Sequence, residues 1–167
     1  MGLKGKKVAF IGAGNMAEAI IRGLLKAKAV AAPDILATGR RQERMDDLHN
    51  LYGLTVTLDN RKAASEADVV VLSVKPQILE KVLAEIGDAI SKDALVISVA
   101  AGITMGQIRS HLSDEAKVCR SMPNMPSVVG AGAAALVCGD FMTEEDKQMA
   151  HELFESCGLA VELREES

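Results

Sequence analysis

Residues 7–17, Lys-Val-Ala-Phe-Ile-Gly-Ala-Gly-Asn-Met-Ala, constrain the fold more than any other stretch. Val8 to Ile11 form a short apolar run that stops at Gly12-Ala13-Gly14. A helical spacing begins directly afterwards, with Met16, Ala19, Ile20, Gly23 and Leu24 three and four residues apart. A buried strand, a tight turn and a helix start therefore follow one another without a linker. Gly12 permits the sharp turn, and Gly14 lets a ligand approach the backbone. Ala17 takes the third small position of the G-x-G-x-x-G/A fingerprint. Such a corner presents free backbone N–H groups and the positive end of a helix dipole to an anion. A dinucleotide diphosphate is the ligand this pattern predicts.

The remaining chain repeats the alternation. Strands are predicted at 34–38, 55–58, 69–73, 95–99, 118–122, 133–138 and 159–163. Helices are predicted at 15–27, 42–51, 60–66, from Pro76 to about Ile86, 104–112 and 143–156. This order predicts an α/β protein of the Rossmann type, a doubly wound, mostly parallel sheet with helices on both faces. Only 2% of residues are aromatic although 49% are hydrophobic. Ala, Val, Leu and Ile must then fill the interior, as suits strands covered on both faces. With 167 residues, one domain with a substantial core is expected.

Bulk charge narrows the partners. The net charge is −4 and no basic tract stands out, so nucleic acid is not expected. His49, His111 and His151 miss metal-ligand spacings, and no metal site is predicted. Cys119, Cys138 and Cys157 form no C-x-x-C pair and read as ordinary thiols of a reducing compartment. The longest apolar stretch, Val128 to Cys138, is short and glycine-rich, so no membrane span is expected. A cytoplasmic location follows.

In a doubly wound sheet, ligands lie at the carboxyl ends of strands. The first such end is the glycine turn itself. The second, Thr38-Gly39-Arg40-Arg41, lacks the carboxylate that NAD-specific sites use on the ribose hydroxyls. Two guanidinium groups there suit a 2′-phosphate, so NADP(H) is preferred and NAD(H) is also admitted. Ser73-Val74-Lys75-Pro76 ends another strand. Lys75 either meets the cofactor or assists protonation, or it simply points to water from a helix start. Val99-Ala100-Ala101-Gly102 offers an open backbone on which a nicotinamide ring could rest. Asn124, after Met122-Pro123, either holds a polar substrate group or forms a turn. No paired nucleophile and base is visible, which a hydride-transfer reaction does not require.

These segments together resemble pyrroline-5-carboxylate reductase. Phe10 to Ala17, Val74-Lys75-Pro76-Gln77, Ala100-Ala101-Gly102-Ile103 and Met122-Pro123-Asn124-Met125-Pro126 stand in that family's order and spacing, and Val129 to Gly132 continue it. The resemblance implies NAD(P)H-dependent reduction of 1-pyrroline-5-carboxylate to L-proline, the last step of proline synthesis. It places cofactor contacts on Ile11, Gly12, Ala13, Gly14, Asn15 and Met16, on Gly39 with the neighbouring Arg40, and on Asn60. Further contacts fall on Ser73, Val74, Lys75, Pro76, Val99, Ala100 and Ala101. Arg41 joins this set through the charge argument above. Lys75 and Asn124 are the only catalytic candidates, and no proton donor is named. Family members continue into a helical domain that forms a homo-oligomer and closes the substrate site. This chain stops at Ser167, so residues 1–167 are expected to be the nucleotide-binding part alone. Two other functions fit the fold: another NADP-dependent reductase, such as a hydroxyacid dehydrogenase or a deazaflavin-linked enzyme, and a non-catalytic nucleotide-sensing module.

Overall fold

A computed structural model of the chain describes residues 2–100, 102–123, 133–158 and 160–165. Strand β1 (Val8–Ile11) leads into helix α1 (Asn15–Lys26), and a 3-10 turn (Ala32–Asp34) leads into β2 (Ile35–Thr38). Helix α2 (Gln42–Tyr52), β3 (Thr55–Thr57), α3 (Asn60–Glu66), β4 (Val69–Leu72) and α4 (Pro76–Ile86) follow. The chain continues through β5 (Leu95–Ser98), α5 (Met105–Arg109), β6 (Lys117–Pro123), β7 (Ala133–Cys138), α6 (Glu144–Glu155) and β8 (Ala160–Glu165).

The strands form one sheet in the order β3-β2-β1-β4-β5-β6-β7-β8. All pairs among β1–β6 are parallel. β7 then runs antiparallel to β6, and β8 follows β7 in parallel, so the last two strands oppose the rest. The chain starts in the middle, winds outward to β3, and returns to place β4 on the other side of β1. β1 therefore lies at the switch point, where neighbouring connections leave in opposite directions and open a crevice. This is the α/β doubly wound architecture the sequence predicts.

Side-chain alternation sends each strand into two cores. Val8 and Phe10 of β1 pack with Ile20, Ile21 and Leu24 of α1 and Met149, Leu153 and Phe154 of α6. Ala9 and Ile11 face the other way, toward Ala63 and Ala64 of α3 and Leu79 and Leu83 of α4. Strands buried on both sides need unbroken apolar sequence, and all four residues of each of β1, β2, β4 and β5 are buried.

Helix ends follow their local chemistry. Pro76 opens α4 at a position that needs no N–H partner. Thr104 and Thr143 each form a reciprocal capping box, with Gln107 and Asp146. The buried Asp146 also pairs with Lys117 at 3.4 Å, which ties α6 to β6. One helix is shorter than its spacing predicts. α5 stops at Arg109, and the chain tightens into turns in which His111 N–H reaches Ile108 O and Leu112 N–H reaches Arg109 O. The end of α4 packs on this turn, since a Cβ on Gly87 would run into the His111 carbonyl oxygen.

The three cysteines are thiols rather than disulfides, and two of them meet. Cys119 and Cys138 are register partners across β6 and β7, with their sulfurs 3.9 Å apart. Hydrogen bonding to Cys138 and burial push the Cys119 thiol far up, and burial pushes Cys157 up to about 11. No helix among the described residues is long and apolar enough to cross a membrane.

α1 and α6 cross in close contact at Gly23, where an added Cβ would lie 2.5 Å from the Ser156 carbonyl oxygen. In an open helix, Gly→Ala gains about 1 kcal/mol. Here the clash reverses the sign, so Gly23→Ala should lower the urea midpoint, and an unchanged or raised midpoint would contradict this packing.

Candidate functional site

The glycine turn sits at the carboxyl end of β1, and neighbouring elements hold its backbone from three sides. From β2, the Thr38 hydroxyl accepts the Gly12 N–H at 3.1 Å, and the Thr38 carbonyl accepts the Ala13 N–H at 2.7 Å. From beyond β4, the Ser73 hydroxyl lies 3.1 Å from the carbonyls of both Ile11 and Gly12. From α2, Arg44 donates its Nε to the Ala13 carbonyl and an Nη to the Gly14 carbonyl, each at 3.2 Å.

Gly12 has φ +86°, a left-handed conformation, and a Cβ there would run into the Val74 side chain. Gly14 has the opposite surroundings. It is exposed at the N-cap of α1, no side chain caps the helix, and a Cβ added to it meets nothing within 4 Å. Gly14 N–H bonds to the Gly12 carbonyl, but the N–H groups of Asn15, Met16 and Ala17 have no acceptor among the described residues. Three free donors, a helix dipole and clear space make an anion cradle.

Other strand ends converge on this opening. Gly39 lies under α2, where a Cβ would be 2.8 Å from the Met45 methyl. Arg40 and Arg41 are exposed, Arg41 at the N-cap of α2, with no ion pair among the described residues. Lys75 is exposed at the N-cap of α4, beside Pro76. Val99 N–H bonds to Leu72 O, and Ala100 N–H to the buried Ser98 hydroxyl, which fixes the end of β5. Asn60 stands apart. Its amide donates to Glu85 of α4 at 3.0 Å rather than to the turn. Ala101 and Asn124 lie outside the described residues. The sequence carries no mark of Thr38 or Arg44 as site residues, because one ends an apolar run and the other resembles any surface arginine.

Behind the turn lies an ionic cluster. Glu18 of α1 accepts from Tyr52 at 2.5 Å, pairs with Arg44 at 2.8 Å and meets Arg22 at 3.3 Å. The Tyr52 hydrogen bond, then Arg44, hold the Glu18 carboxyl below its ordinary pKa, although desolvation opposes them.

Residues 7–102 match the family described as NADP oxidoreductase coenzyme F420-dependent, which is more than half of the chain. The chain belongs to that family. The match runs from the strand before the glycine turn to the end of β5, so this NADP oxidoreductase segment contains all the strand ends around the opening except that of β6. Over its wider length the chain is 43% identical to a pyrroline-5-carboxylate reductase of Vibrio alginolyticus, across 97% of this chain and 59% of the relative. A solved pyrroline-5-carboxylate reductase of Coxiella burnetii superposes with a TM-score of 0.85 at 36% identity, covering 97% of this chain and 59% of that one. The Plasmodium falciparum pyrroline carboxylate reductase, solved with NADP bound, gives 0.80 at 26% identity, covering 99% and 59%. The chain thus spans about three-fifths of these relatives' length.

Two substitutions separate folding from binding in the turn. Gly12→Ala should destabilise the protein by about 1–3 kcal/mol through its positive φ and Val74, whereas Gly14→Ala should stay within about 0.5 kcal/mol; equal urea midpoints for the two would contradict the geometry. Because the folded pKa of Glu18 is depressed, its stabilisation is complete above its unfolded pKa and is lost as pH falls through the folded value. Tyr52→Phe should therefore cost about 0.5–1.5 kcal/mol at pH 7, and the difference should shrink as pH falls through the depressed folded pKa, as followed by urea melts across pH.

Proposed function

We propose that residues 1–167 are the dinucleotide-binding domain of a pyrroline-5-carboxylate reductase, which reduces 1-pyrroline-5-carboxylate to L-proline with NADP(H). The observation that carries this reading is the 43% identity to a pyrroline-5-carboxylate reductase over nearly the whole chain, coinciding with an anion cradle at the switch point. The cradle fits the cofactor on structural grounds, since the N–H groups of Asn15, Met16 and Ala17 have no acceptor among the described residues and a Cβ on the neighbouring Gly14 would meet nothing within 4 Å.

Each group then has a role. The N–H groups of Asn15, Met16 and Ala17 bind the diphosphate, and the turn from Ile11 to Gly14 shapes the approach. Gly39, Arg40 and Arg41 take the adenosine end, with the two guanidinium groups on the 2′-phosphate. Asn60 is assigned to the same end and must exchange its Glu85 contact to reach it. Ser73, Val74, Lys75 and Pro76 line the middle of the opening, and Val99, Ala100 and Ala101 support the nicotinamide side. Bound NADPH supplies the hydride. A protonated cyclic imine is already activated, so the chain's task is to align the reacting atoms and exclude water. Lys75 and Asn124 remain the catalytic candidates. The imino acid's ring and carboxylate, and assembly into a homo-oligomer, fall to a helical C-terminal domain beyond these residues. The chain is assigned to a reducing cytoplasm, where cysteines stay as thiols.

The family's description favours a second reading, a reductase that passes hydride between NADP and a deazaflavin. Oxidation of NADPH by a deazaflavin, with none by pyrroline-5-carboxylate in the longest natural polypeptide, would select it. A polypeptide that binds NADPH but reduces neither would be a nucleotide-sensing module.

The isolated 167 residues should bind NADPH yet turn over slowly or not at all, so normal turnover by them would refute the domain assignment. Replacing both arginines, Arg40→Asp with Arg41→Ala, should lower the NADPH-to-NADH affinity ratio about ten- to a hundredfold, and an unchanged ratio in titration would exclude them as the phosphate readers.

A further inference from the structure

Arg44 is the one guanidinium at the β2–α2 corner that points inward. Arg40 and Arg41 are exposed, while the Arg44 side chain is 29% exposed and its donors are already engaged. Two of them hold the carbonyls of Ala13 and Gly14, and the third nitrogen is 2.8 Å from Glu18. Glu18 is itself fixed by Tyr52, from the last turn of α2. The result is a closed loop of contacts from α2 to the turn, along α1 and back to α2.

A trans peptide carries its C=O and N–H in opposite directions. Holding the Gly14 carbonyl toward Arg44 and the Glu18 N–H therefore turns the Asn15 N–H the opposite way, off the side that these groups occupy, where it has no acceptor among the described residues. Gly14 has no Cβ to restrict its rotation, and no side chain caps α1. Without Arg44, the Ala13–Gly14 and Gly14–Asn15 peptides lose their only hydrogen bonds to α2 among the described residues.

We infer that Arg44, braced by Glu18 and Tyr52, is a positioning residue for diphosphate binding: it fixes the turn's carbonyls so that the free N–H groups face the ligand. It does not read the 2′-phosphate. This rests on the cofactor reading above and adds a residue that acts through the backbone rather than by touching the ligand. The guanidinium's charge is largely met by Glu18, so its effect is on peptide orientation more than on the field at the anion.

The test uses the 167-residue chain and three probes: NADPH, ADP, which has the diphosphate but no 2′-phosphate, and adenosine 2′-monophosphate, which has the converse. Arg44→Met keeps the aliphatic stem and removes the donors. It should weaken ADP and NADPH by the same factor, about five- to tenfold, and leave adenosine 2′-monophosphate unchanged. Arg44→Lys, which keeps the charge but cannot bridge both carbonyls, should recover less than half of that loss. Unchanged ADP affinity, loss confined to the 2′-phosphate ligands, or full recovery by lysine would each overturn the inference. Should Arg44→Met fail to fold by circular dichroism, Tyr52→Phe decides: it loosens Glu18, the brace of Arg44, without deleting Arg44, and should weaken ADP about twofold, and no change overturns the inference. Failure of the unaltered chain to bind NADPH or ADP would instead remove the cofactor reading itself.

Discussion

The structure depends on one backbone constraint, the left-handed Gly12 pressed against Val74 at the end of β1. That contact lets the chain leave a fully buried strand and start a helix within three residues. It also locks β1 to the β4–α4 connection, across the line where the sheet winding reverses. Every polar group that the sharp corner exposes must find a partner or face open space. Thr38, Ser73 and Arg44 take the inward-facing groups. The groups left over are the N–H donors of the first turn of α1, and those are the ones an anion needs.

Burial and function share the same residues here. Ser73 and Ser98 are small hydroxyls at the ends of apolar strands, and both are used on backbone groups. They close the carboxyl rim without adding charge. The charged groups are left to the helix starts: Arg40 and Arg41 before α2, and Lys75 before α4. A rim that is neutral at the centre and positive at its edge suits a long ligand with phosphates at one side and a flat neutral group at the other.

Most of the architecture was legible in the sequence, because parallel strands covered on both faces write themselves as unbroken Val, Ile, Leu and Ala runs. β1, β2, β4 and β5 each fall within a residue of their apolar segments. The reversal at β7 was not legible, since an apolar strand carries no mark of its direction. Nor was the meeting of Cys119 with Cys138, which needs the β6–β7 register. At the site, the glycine pattern revealed where the turn lies but not what supports it. Thr38, Glu18, Arg44 and Tyr52 come from three separate elements, and nothing in their spacing says that they meet. Asn60 shows the converse: the resemblance assigns it to the cofactor, while the structure engages its amide with Glu85.

The tight crossing at Gly23 has a mechanical meaning for the far end of the same helix. Asn15 lies about 12 Å ahead of Gly23 along α1, so a tilt of roughly five degrees about that contact would displace the tip by about 1 Å, enough to spoil hydrogen-bond geometry. The backbone of Ser156 and Cys157, packed on Gly23, acts as the rear bearing of that beam. Aim at the tip is thus set partly by a glycine that no ligand approaches.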